Sequence, residues 1–168
     1  MTLLAADEPD RDDPARARRI APASVMAGSL LVLLPVVATV PVLPPFGLLM
    51  LLAWRLTRLD ALRVWGIAPL GFFDDLVSGQ PVGSATLLWP LCMMMVDVID
   101  TRLVQRDFWL DWLIACGAIG ACLVGGRVFA GMLHAHVDTA MLVQLAASAA
   151  LFPLAVRLCT RLDPRHGR

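Results

Sequence analysis

The chain has 168 residues, 58% of them hydrophobic and 17% charged, with a mean hydropathy of +0.72; soluble domains run at roughly 45–50% apolar and about 25% charged. That excess excludes a disordered chain and a large extramembrane domain, argues against an ordinary soluble enzyme, and fits a protein whose solvent is lipid. Basic and acidic residues balance at 14 each, so no global positive field points to nucleic acid.

Residues 1–23 read as a disordered polar tail. Asp7, Glu8, Asp10, Asp12 and Asp13 form an acidic block, Arg16, Arg18 and Arg19 follow, and Pro9, Pro14 and Pro22 oppose a continuous helix. The acidic start and the late apolar stretch do not fit a cleaved signal peptide. Six apolar runs come next, to be judged against the roughly 20 residues a spanning helix needs. They are Ser24 to Leu43, Pro44 to Leu59, Leu62 to Val77, Gly83 to Asp100, Phe108 to about Arg127, and Thr139 to Cys159. Runs two and three are short and interrupted, which suits tilted, bilayer-thinning or partly re-entrant segments.

The arginines set the topology. The tail holds Arg11, Arg16, Arg18 and Arg19; the turn between runs two and three holds Arg55, Arg58 and Arg63; the loop after run four holds Arg102 and Arg106; the C-terminal end holds Arg157, Arg161, Arg165 and Arg168. The intervening turns hold Arg127 alone. The excess of cytoplasmic arginine in membrane proteins then predicts an all-α, polytopic membrane helix bundle of about six transmembrane helices with both termini cytoplasmic. Its parts are a tail over 1–23, a membrane domain over 24–160 and a short C-terminal tail over 161–168. A four-span alternative without runs two and three would expose Arg55, Arg58 and Arg63 on the outer face. The outward loops are short, so function resides in the bilayer or at its surfaces.

Ionisable groups inside spans are functional-site hypotheses by default. Asp74 and Asp75, near the outer end of run three, point about 100° apart on a helix, with Asp75 expected to face the bundle and Asp74 the interface. Three readings compete: a polar helix end, an ion pair, or a proton-sharing pair of carboxylates. For the ion pair, Arg127 lies at the matching depth on run five and is the expected partner. At the inner end, Asp97 and Asp100 share a helix face near the depth of Arg55, Arg63, Arg102 and Arg106, which reads as a salt-bridge cluster or a partner-docking patch. His134, His136 and Asp138 could hold a zinc if extended, but a solvated loop is the plainer reading. Gly117, Ala121 and Gly125 repeat at four-residue spacing and allow close helix approach, within the bundle or against a second membrane protein; Ala146 and Ala150 repeat likewise. Trp54, Trp65, Trp89, Trp109 and Trp112 mostly sit toward the ends of the runs, as interfacial anchors do. Cys92, Cys116, Cys122 and Cys159 read as small hydrophobes. The Val-Asp-Val-Ile-Asp string resembles faintly a segment of lipoprotein signal peptidase, an aspartyl enzyme that also needs asparagines; this chain has none. Nothing else suggests an enzyme, a cofactor or a metal.

Runs two to four resemble the rod-shape-determining protein MreD family, bacterial inner-membrane proteins of about this size. The segment Gly71-Phe72-Phe73-Asp74-Asp75-Leu76-Val77-Ser78-Gly79-Gln80-Pro81-Val82-Gly83 is similar to the family pattern Gly-x-x-x-Asp-Leu-x-x-Gly-x-Pro-Leu-Gly. Gly71, Asp75, Leu76, Gly79, Pro81 and Gly83 match, and Val82 replaces leucine. The likeness covers roughly residues 40–100; the doubled aspartate and acidic tail depart from it. The resemblance implies a non-enzymatic, multi-pass component of the cell-elongation machinery. It would bind the scaffold MreC and couple the MreB cytoskeleton to RodA and a class B penicillin-binding protein. The competing class is transport, since the vitamin-binding S-components of energy-coupling-factor transporters are also six-span bundles of this size. A transporter should show a polar, aromatic-lined pocket, for which this sequence offers few residues.

Overall fold

The computed structural model describes residues 14–33, 43–58, 62–79, 81–102, 107–129 and 138–162, with the side chains of 14–17 and 138 left aside. Among these residues the protein is all-helical, with no strand. Six α-helices follow in order: α1 (Pro14–Leu30), extended by a 3-10 turn (Leu31–Leu33), α2 (Phe46–Thr57), α3 (Val64–Ser78), α4 (Ser84–Arg102), α5 (Phe108–Phe129) and α6 (Asp138–Leu162). Helices α4, α5 and nearly all of α6 are long and apolar enough to cross a membrane. At 1.5 Å per residue α4 is about 28 Å long and α2 only about 18 Å.

The first helix starts earlier than the sequence suggests. Residues 14–23, expected as the end of a disordered tail, form the first turns of α1. Pro14 opens the helix, where its missing N–H costs nothing, and the Ala- and Arg-rich stretch after it has high helix propensity. Pro22 sits inside the helix. Its broken hydrogen bond is offset by packing, because Ala21 and Val25 on either side of it are fully buried. The remainder of run one, with Pro35 and Pro41, lies outside the described residues.

The second helix is the centre of the molecule. Every residue from Gly47 to Trp54 is buried, as is Leu56. It packs on α1 and α6 and touches α5. A helix apolar all round is enclosed all round, and its uninterrupted leucines meet other helices on every side. Arg55 and Arg58 end it, with Arg58 extended (φ −149°) and its N–H bonded to the Trp54 carbonyl at 2.8 Å.

Contacts between neighbours show that successive helices alternate in direction. Trp54 Nε1 donates to Ser24 Oγ at 2.7 Å while Gly28 meets Phe46 at the other end of the α1–α2 pair. Cys92 lies against the Ala118 carbonyl, and Cys122 against that of Leu88, along α4 and α5. Trp112 Nε1 donates to the Ala149 carbonyl at 3.0 Å, and Gly120 faces Leu145, along α5 and α6. Gln144 Nε2 reaches back to the Leu43 carbonyl at 2.7 Å, tying α6 to the entry of α2. Alternation brings Arg18, Arg19, Arg55, Arg58, Arg63, Arg102, Arg157 and Arg161 to one end of the bundle and Arg127 to the other.

The outside is as apolar as the inside. Leu87, Leu91, Met94, Met95 and Val98 of α4, Leu113 and Val124 of α5, and Leu142, Val143 and Leu154 of α6 are all exposed. Soluble monomers rarely expose a contiguous patch of that kind. The packing corrects one expectation from the sequence and narrows another. Trp54 and Trp89 are core residues and Trp112 is half-buried with its N–H bonded; only Trp65 (92% exposed) and Trp109 (71% exposed) project outward. An indole needs a hydrogen-bond partner when buried, and Ser24 and the Ala149 carbonyl supply one for Trp54 and Trp112. Of the two readings of the small-residue row on α5, packing within the bundle holds only in part, and contact with a second membrane protein is untouched by it. Gly117 and Ala121 are exposed, with open space at Gly117, as are Ala146 and Ala150 on α6. Only Gly125 receives a close neighbour: a Cβ there would stand 2.6 Å from Leu88 Cδ2 of α4.

Candidate functional site

The tightest junction in the bundle joins the carboxyl end of α3 to the amino end of α4. Helix α3 stops at Gly79, whose left-handed φ of +67° closes it in the conformation glycine adopts at least cost. The chain then turns through Pro81, Val82 and Gly83. The Ser84 N–H bonds to the Pro81 carbonyl at 3.1 Å, and Gly83 takes a φ of +108°, the positive value that the third position of this kind of turn demands. Pro81 and the two glycines thus make the tight turn expected from the sequence. The Gly83 carbonyl accepts the Leu87 N–H at 3.1 Å, which starts α4.

Asp75, 1% exposed, sits one turn before the end of α3 and seals that start. Its Oδ1 accepts the Ala85 N–H at 2.8 Å and the Ser84 hydroxyl at 2.9 Å. Its Oδ2 accepts the Gly83 N–H at 3.0 Å, the Thr86 N–H at 3.1 Å and the Thr86 hydroxyl at 2.9 Å. The first amides of a helix have no intrahelical acceptor and carry the positive end of its dipole. In an apolar bundle such orphans would be costly. One carboxylate from a different helix satisfies three of them and two hydroxyls as well.

Gly71 makes the approach feasible. It lies four residues before Asp75, on the same face of α3. A Cβ at Gly71 would stand 2.5 Å from the Ala85 carbonyl oxygen and 2.9 Å from the Thr86 nitrogen. No side chain fits there. Removing it lets the first turn of α4 lie directly on α3, at the distance from which a carboxylate one turn later can reach its amides.

Asp74 takes another direction, as adjacent helical positions require. It does not face the outer interface, where the sequence pattern would put it. Its Oδ1 lies 3.0 Å from where a Cβ on Gly47 would be, beside the buried Ser29 Oγ, and Trp89 Cη2 lies 3.0 Å from the same point. Gly47 of α2 is thus the point where α1, α3 and α4 converge, and Asp74 is half-buried over it.

The expected ion pair with Arg127 is not how Asp75 is held. Its five donors come from residues 83–86, and Arg127 is not among them. Helix α5 packs on α4 and α6, while α3 packs mainly on α4 and α1. At the opposite end the expected salt-bridge cluster is present in part. Arg55 of α2 donates through Nε, at 3.0 Å, and through Nη2 to Asp97 Oδ1 of α4. Arg102 is exposed, and Arg106, His134 and His136 lie outside the described residues.

Measured against family models, curated proteins and solved structures, the chain matches none. The site therefore has to be understood from its own geometry. It holds a carboxylate that accepts from five structural donors, with the half-buried Asp74 beside it. The arrangement fastens two helices and shapes the turn between them. Sequence reasoning missed Ser84, Ala85 and Thr86 as partners of Asp75. The one available signal was a serine and a threonine directly after Gly83, at a helix start; local capping rules look for the acceptor there, not nine to eleven residues upstream.

Proposed function

We propose that the protein is a non-enzymatic scaffold of the bacterial inner membrane, crossing it six times with both termini in the cytoplasm. It serves the cell-elongation machinery by binding MreC and coupling to MreB, RodA and a class B penicillin-binding protein. The observation that carries this reading is the α3–α4 junction. Gly71, Asp75, Gly79, Pro81 and Gly83, five of the six residues through which the sequence resembles the MreD family, all serve one device. The sixth, Leu76, is exposed; five members at work in a single joint are still more than a coincidence of apolar composition.

The bundle's polarity supports the orientation. Arginine gathers at one end, and the positive-inside bias assigns that end to the cytoplasm. The Asp75 junction then belongs to the outer half, where a periplasmic scaffold protein could meet it. The shortness of α2 does not oppose a six-span reading, because hydrophobic mismatch is felt by helices that touch lipid and α2 is enclosed. Short α1 and α3 are accommodated by local thinning or tilt.

Depletion of the protein in its own rod-shaped cell tests the function. Rounded cells and loss of co-purifying MreC from mild-detergent extracts are expected; normal shape with a vitamin requirement would overturn the reading in favour of transport. Topology is tested with single cysteines at positions 58 and 127 in a cysteine-free background. A membrane-impermeant thiol reagent applied to spheroplasts should label position 127 and spare position 58.

A further inference from the structure

A concave site opens at the arginine-bearing end, between α2, α3 and α4. It has a volume of about 460 Å³ and is lined by Arg55, Arg63, Val64, Trp65, Ile67 and Asp97, among others; small-molecule sites span about 300–1,000 Å³. Its lining combines charged and apolar side chains. Asp97 holds the Arg55 guanidinium in place. Arg63 is exposed, and its side chain makes no hydrogen bond or ion pair among the described residues. Two guanidinium groups against one carboxylate leave the cavity with a net positive charge. The cavity also borders the amino end of α3, where Arg63 stands as N-cap without a side-chain cap bond, so orphan amides add to the positive field. Val64 and Ile67 form the apolar wall, and Trp65 stands at the mouth with 92% of its surface exposed.

The geometry points to a binding site for the phosphate headgroup of an anionic phospholipid of the inner leaflet. Guanidinium forks match phosphate oxygens two at a time. A cavity lined by guanidinium and by apolar groups fits a molecule that carries both an anionic head and apolar chains. The Trp65 indole protrudes at this depth, and tryptophan settles at the headgroup level of a bilayer. The inference rests on the membrane reading above and deepens it: the arginine-bearing end would recognise lipid as well as orient the chain.

The test uses the full chain reconstituted into vesicles and reads tryptophan quenching by brominated lipid. Brominated phosphatidylglycerol should quench more strongly than brominated phosphatidylcholine at equal content. Trp65→Phe should abolish that difference, and Arg63→Gln should lower the preference for phosphatidylglycerol about fivefold, the worth of one basic residue at a membrane surface. Arg127→Gln, at the other end, should leave it unchanged. Equal quenching by both lipids would overturn the site and leave the membrane reading standing. Quenching by neither would overturn the membrane reading itself. Loss of the preference on adding millimolar inorganic phosphate at constant ionic strength would identify free phosphate as the ligand and overturn the lipid assignment.

Discussion

Replacing Asp75 by alanine takes the acceptor from five donors at once. Two of them, the Ser84 and Thr86 hydroxyls, can turn to other oxygens. The three amides of Gly83, Ala85 and Thr86 cannot, because the helix fixes their direction. A hydrogen bond to a charged group is worth about 1.5–3 kcal/mol, but a plain sum over three overshoots, since the first turn of α4 can fray. Removing one partner of a buried charged contact costs about 3–5 kcal/mol, and that is the expected loss. Asparagine is the informative variant. It keeps the shape, yet it replaces one oxygen with an NH2 that must face donors, so it should cost about 2–4 kcal/mol. Reversible unfolding in mixed micelles of mild detergent and SDS would measure both variants. Hydrogen exchange should show lost protection confined first to residues 83–87. If asparagine costs less than about 1 kcal/mol and exchange at those amides is unchanged, Asp75 merely fills space, and the carboxylate does not hold the start of α4.

The glycine that admits α4 should be as sensitive. Gly71→Ala places a methyl 2.5 Å from the Ala85 carbonyl and should destabilise by about 1–3 kcal/mol through overpacking, read as a lower SDS midpoint; the same change at Gly117, which faces open space, should cost nothing measurable. Arg55→Glu should weaken the α2–α4 contact at the arginine-bearing end by leaving Asp97 against a like charge, and Asp97→Arg in the same chain should recover most of the loss; a double variant no more stable than the single one would show that the ion pair contributes nothing.

Much of the fold was legible in the one-dimensional pattern. Runs two to six became helices α2 to α6, with α4, α5 and α6 close to their expected limits, and the described half of run one joined α1 and its 3-10 turn, because a segment in lipid must satisfy its backbone internally. The separation of arginines into alternate turns became a separation between the two ends of the bundle. The turn at Pro81 and Gly83 was readable because proline and positive-φ glycine have few other uses there, and Asp75 faced inward as its place on the helix required. What the sequence could not say is which neighbour each apolar face meets. Lipid tails and leucine side chains are equally apolar, so hydropathy does not distinguish the enclosed α2 from an outer span, nor buried Trp54 from exposed Trp65. That choice is made by contacts without a local signature: the missing side chain at Gly71, the hydroxyl of Ser24 thirty residues from the indole it receives, and a carboxylate that closes the start of the next helix. Only the packed bundle brings those atoms within reach of one another.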